Sequence, residues 1–130
     1  MTAGARADDG VGRRTEMRIL GDAREFAVLV YQETACLPHS EEFGLKSQMR
    51  RAAVSIGSNI AEGADRRSDD DFARFVAIAE GSASELAFQL NLSHDLEFID
   101  APTIALMQSQ LRSLRRKLDA LHNSLTTVRD

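Results

Sequence analysis

Tryptophan is missing from the 130 residues, tyrosine and cysteine occur once each, and proline occurs twice. The single thiol, Cys36, excludes an internal disulfide and fits a reducing, cytoplasmic setting. No apolar run approaches the roughly 18–20 residues that a membrane-spanning helix needs. The N-terminal stretch also lacks the apolar h-region of a secretory signal. An excess of positive charge is missing too. The formal net charge of −4 argues against a binder whose whole surface is basic, although it leaves room for a local basic stripe. No glycine-rich phosphate loop, no Gly-x-Ser-x-Gly elbow and no Cys/His set for nucleophilic chemistry occurs.

The residues present are those of a helical globular domain. Hydrophobic residues make up 43% and charged residues 28%, and alanine, leucine, arginine and glutamate are good helix formers. A chain of this length holds one core without metal or disulfide support. Residues 1–18 are rich in Gly, Ala, Arg and Asp without apolar periodicity and read as a disordered leader. The folded domain is expected over 19–130, beginning at Ile19-Leu20.

Four helical segments follow. The first is expected over about Asp22 to Cys36, with Ala23, Phe26, Ala27 and Val30 at helical spacing and Pro38 as the stop. The second opens with Ser40 as cap and Glu41 and Glu42 in its first turn. Its seam reads Leu45, Met49, Ala52, Ile56, Asn59, and Gly63 offers a left-handed stop. The third starts at Ser68-Asp69-Asp70-Asp71, with three carboxylates against the positive end of the helix dipole. It carries Phe72, Val76, Ala79, Ala83, Leu86 and Leu90 on one seam, with Phe75 and Phe88 beside it. The fourth starts at Asp100-Ala101-Pro102 and shows the cleanest pattern of all. Ile104, Met107, Leu111, Leu114, Leu118, Leu121, Leu125 and Val128 alternate in steps of three and four. Short connections make neighbours antiparallel, so an all-α, up-down-up-down four-helix bundle is predicted.

The second and third segments carry a more specific pattern. Phe43-Gly44-Leu45, Gln48, Arg50-Arg51-Ala52-Ala53-Val54-Ser55-Ile56 and Asn59-Ile60-Ala61-Glu62-Gly63, continued by Phe72, Phe75, Ala79, Gly81-Ser82 and Glu85-Leu86, resemble the four-helix bundle family known as 23S rRNA intervening-sequence proteins. The resemblance covers roughly Ile19 to Val128. It implies a ring of subunits, usually a homo-pentamer, and no enzymatic activity or cofactor. A related branch, the accessory proteins of diversity-generating retroelements, binds a reverse transcriptase and nucleic acid through a basic outer surface. Ile19-Leu20 stand where the family usually has Val-Trp. Gly57 stands where it usually has proline, and glycine leaves the unfolded chain freer.

The residues themselves offer two candidate sites. Asn59 on an apolar seam requires partners, since an unpaired buried amide costs roughly 1–3 kcal/mol. Ser55 and Glu62 flank it on its own helix, and Ser82 and Glu85 face it from the third. We expect these five to form a structural polar network that sets helix register. The basic residues Arg50, Arg51, Arg66, Arg67, Arg112, Arg115, Arg116 and Lys117 are candidate contacts for an anion or nucleic acid. The last four concentrate charge on one helix, offset only by Asp119. No aromatic residue on that face suggests base stacking. A di-metal bundle would need two Glu-x-x-His pairs, and this chain has only Asp119-x-x-His122, so no metal is expected. The leading expectation is a non-catalytic oligomeric scaffold or adaptor with an unidentified protein or RNA partner and no membrane contact. The alternative is a nucleic-acid-binding accessory protein that acts with a reverse transcriptase or rRNA, any direct nucleic-acid binding being weak.

Overall fold

The computed structural model describes residues 10–127. Four helices account for most of them: α1 (Gly10–Thr34), α2 (Leu45–Ala64), α3 (Asp69–Asp95) and α4 (Ala101–Thr126), with one 3-10 turn, His39–Glu41, between α1 and α2. Each helix packs on its sequence neighbours, and α1 closes the bundle against α4. The diagonal pairs α1–α3 and α2–α4 bring no Cα atoms within 8 Å of each other among the described residues. This is the all-α, antiparallel four-helix bundle that the periodicity predicts.

The core is the set of predicted seams. All six seam residues of α3 and the first six of α4 are buried, as are Ala23, Phe26 and Val30 of α1. Leu125 packs against the core from the last turn of α4, while Val128 lies outside the described residues. At about 1.5–3 kcal/mol for each large side chain taken out of water, these stripes hold the helices together. The predicted cap of α3 forms, and α4 gains one that the sequence reading did not name. The Ser68 hydroxyl accepts from the Asp71 amide at 3.1 Å, and the Asp100 carboxylate accepts from the Thr103 amide at 2.9 Å.

Several local expectations are corrected. Of the leader expected over 1–18, residues 1–9 lie outside the described residues and residues 10–18 belong to α1. Arg14, Glu16, Met17 and Arg18 are good helix formers, and nothing between them and Ile19 interrupts the helix. Ser40 does not cap α2. It sits in the 3-10 turn, and the Glu41 carboxylate accepts from the Leu45 amide at 3.1 Å instead. A Cβ on Gly44 would stand 2.9 Å from that same carboxylate oxygen, so glycine there leaves room for the cap. Gly63 is no left-handed stop, because α2 continues to Ala64 and ends on Asp65 at φ −84°. Gly63 is buried, and a Cβ on it would lie 2.8 Å from Phe72 Cδ1 and 2.8 Å from Phe75 Cβ. Its bare backbone lets the start of α3 close onto the end of α2. Phe88 is 67% exposed and stands off the seam.

Candidate functional site

The α2–α3 contact holds the polar residues that the sequence singles out, and they divide into three groups. Ser55 and Ser82 join the two helices by a hydroxyl pair at 2.8 Å. The Asn59 amide donates to the Ser55 carbonyl at 2.8 Å and to the Ser55 hydroxyl at 3.0 Å, so Asn59 acts within its own helix. It is half-buried, and Ile60 takes the core position in its place. Glu62 turns to solvent and pairs with Arg66 at 2.8 Å. Glu85 is exposed and accepts from the Gln89 amide at 3.3 Å. Glu62 and Glu85 therefore do not converge.

Three buried polar residues escaped the sequence reading. Thr34 donates to the Val30 carbonyl at 2.7 Å and accepts from Arg50 Nε at 3.1 Å. Ser93 donates to the Met49 sulfur at 3.3 Å. Gln89 is 3% exposed and its Oε1 has no hydrogen-bond partner among the described residues. Thr34 was detectable, since it extends the α1 stripe four residues beyond Val30. Gln89 carried no such signal, because it lies beside the seam rather than on it.

The basic residues are also dispersed. Arg50 donates to the Tyr31 carbonyl at 3.0 Å and lies 4.5 Å over the Tyr31 ring, which makes it a brace between α1 and α2. Arg66 is held by Glu62 and by the Phe75 ring at 4.7 Å. On α4, Arg115 donates to the Ser84 hydroxyl of α3 at 3.0 Å, and Lys117 turns the other way to pair with Asp22 of α1. Arg112 and Arg116 remain, one turn apart and exposed; they, Arg51 and Arg67 have no hydrogen-bond or ion-pair partner among the described residues. A free guanidinium pair spaced i, i+4 can hold a phosphate or carboxylate electrostatically.

An open hollow of about 520 Å³ lies between the end of α1 and the α3–α4 turn, lined by Glu33, Cys36, His94, Glu97, Phe98 and Asp100 among others. The Cys36 thiol donates to the Glu33 and Phe98 carbonyls at 3.3 and 3.4 Å. Asp100 is held below its ordinary pKa of 3.8 by its bonds to Thr103, and Glu42 below its ordinary value by Lys46. No grouping of three or more His, Cys, Asp or Glu suited to a metal occurs among the described residues, and no helix is long and apolar enough to cross a membrane.

The family model for the 23S rRNA-intervening sequence protein matches residues 15–120. The chain belongs to this family. No curated protein matches it. A solved structure from Bacteroides thetaiotaomicron VPI-5482, described as a protein with unknown function from the S23 ribosomal protein family, superposes with a TM-score of 0.76. It is 24% identical and covers 84% of this chain and 98% of its own. That likeness supports the bundle fold. For an intervening-sequence family member, the α2–α3 hairpin that carries the sequence pattern is also the most extensive helix contact, with Gly63 at its closed end and the Ser55–Ser82 bond across it.

Proposed function

We propose that this family member is a non-catalytic, homo-oligomeric scaffold or adaptor, a ring of five copies that offers its outer surface to a protein partner. The observation that carries this reading is the apolar surface left in water. Phe43 is 95% exposed, Phe88 67% and Met17 64%, with Val28, Leu106, Ile78, Leu96, Val54 and Tyr31 between 44% and 51%. Met17 and Val28 share the outward face of α1, and Ile78 and Phe88 that of α3; apolar residues grouped on one face favour an interaction surface, which burial between copies takes out of water. Five is the number that the family resemblance implies. The exposed, unpaired thiol of Cys36 suits a cytoplasmic setting. If folding and assembly are linked, the denaturation midpoint rises with protein concentration. A midpoint that stays constant over a hundredfold dilution contradicts the reading.

A second reading draws on Arg112 and Arg116. The two free guanidinium groups repeat around a ring, so weak contacts to a phosphate backbone add through avidity. Binding of RNA or DNA on this basis is sequence-tolerant and falls steeply between about 50 and 200 mM salt. Fluorescence anisotropy with two unrelated RNAs checks it. Replacing Arg112 and Arg116 with Gln weakens both equally, whereas binding that ignores the substitution or survives high salt contradicts this site.

A further inference from the structure

Two glycines stand inside helices where nothing in the bundle requires them. A Cβ built on Gly21 of α1 or Gly81 of α3 meets no atom within 4 Å, and after proline glycine is the least favourable residue for a helix interior. Both sit within outward-facing stripes. Around Gly21 at helical spacing stand Met17 and Val28, and around Gly81 stand Ile78 and Phe88, all among the large exposed apolar side chains. The outward faces of α2 and α4 carry one such residue each, Val54 and Leu106.

The two stripes lie on opposite sides of the molecule, because α1 and α3 are a diagonal pair of the bundle. They also differ in charge. The α1 face exposes Arg18 and Arg24 against Glu25. The α3 face exposes Asp70 and Glu85, while its Arg74 is engaged by Asp71 at 3.4 Å.

We propose that the α1 face of one copy packs on the α3 face of the next, with the recesses at Gly21 and Gly81 receiving apolar side chains from the other copy. This rests on the homo-oligomer reading and assigns its interface. The occupant is a second copy because the two faces complement each other in charge and each offers both a recess and bulky neighbours. In the bundle α1 and α3 run parallel. The Thr34–Arg50 and Ser55–Ser82 bonds set their levels, which places Val28 within about one helical turn of Gly81 along the axis. Val28 of one copy therefore enters the recess at Gly81 of the next, and Phe88 reaches the end of the stripe near Tyr31. A contact between two different faces is heterologous, so it propagates from copy to copy and closes into a ring when the rotation permits.

Disulfide trapping tests the assignment. In a Cys36→Ser background, Val28→Cys combined with Gly81→Cys and oxidised with copper phenanthroline is expected to give a ladder of linked multimers that reductant collapses, while each single-cysteine variant stays unlinked. Dimers from Val28→Cys alone would mean that α1 meets α1 and would overturn the proposal. An unlinked double variant, with wild type still oligomeric by light scattering, would overturn the assigned faces and leave the oligomer reading standing. A monomeric wild type would remove both. Phe88→Glu gives an independent readout at an exposed position that the bundle core does not use. It is expected to bring the mass down to 14.3 kDa with an unchanged helical circular dichroism spectrum. A fully assembled Phe88→Glu protein would contradict the interface.

Discussion

At Gly63 and Glu97 the backbone asks for glycine, and only one of them has it. Gly63 has no Cβ to collide with Phe72 and Phe75. Gly63→Ala would force the α2–α3 hairpin apart, and overpacking of this kind costs about 1–3 kcal/mol; urea denaturation measures it. Glu97 has φ 61° and follows the C-terminus of α3, where the Phe98 amide bonds the Ser93 carbonyl and the Glu97 amide bonds the His94 carbonyl, each at 2.9 Å. This is a Schellman ending with a side chain at the left-handed position. Glu97→Gly relieves that strain and should stabilise the protein by roughly 0.5–1 kcal/mol, after the added freedom of the unfolded chain is deducted. Equal stability of Glu97→Gly and wild type would mean that the Glu97 side chain compensates for its conformation. Neither role is visible in sequence, because one depends on Phe72 and Phe75 of another helix and the other on a turn without its usual residue.

The elements themselves were largely legible. Strict seams placed the cores of α3 and α4, Ser68 marked the start of α3 by its capping chemistry, and Pro102 in the first turn marked the start of α4. Where the reading failed, the cause was geometric. A 3-4 alternation assumes 3.5 residues per turn and puts Asn59 after Ile56. A straight helix turns every 3.6 residues, so the stripe drifts to Ile60 and Gly63, and Asn59 ends beside the core. The start of α2 was misplaced because its capping carboxylate comes from Glu41, across a break at Gly44 that no capping-box spacing anticipates. The polar network was legible around Ser55, whose hydroxyl meets both Asn59 of its own helix and Ser82 of α3. Glu62 and Glu85 share that side of the bundle but reach water, and a helical wheel does not resolve that distinction.

Capping also sets a pH dependence at this scale. Asp100 has a folded pKa below its unfolded one, so its carboxylate adds stability that is complete above the unfolded value of about 3.8. That contribution is lost as pH falls through the lower, folded value. Asp100→Asn keeps a capping oxygen without the titration. Thermal melts from pH 6 to pH 2.5 are therefore expected to show a smaller acid-induced loss in Asp100→Asn than in wild type. Parallel curves would indicate that the cap does not titrate with folding.

For the whole molecule, the four helices of one chain enclose the core, while several large apolar side chains stay exposed on the outside. The core is filled by the four seams, and the residues left over form apolar stripes on α1 and α3 and an exposed Phe43 at the α1–α2 turn. Charge adds little to a nucleic-acid role at this scale. The chain is acidic, and of the four cations grouped on α4 only Arg112 and Arg116 remain unengaged. The account therefore stands or falls on assembly. Light scattering coupled to size exclusion measures it most directly. A mass near five times 14.3 kDa at micromolar concentration is the predicted result, and a single monomeric peak under the same conditions would contradict it.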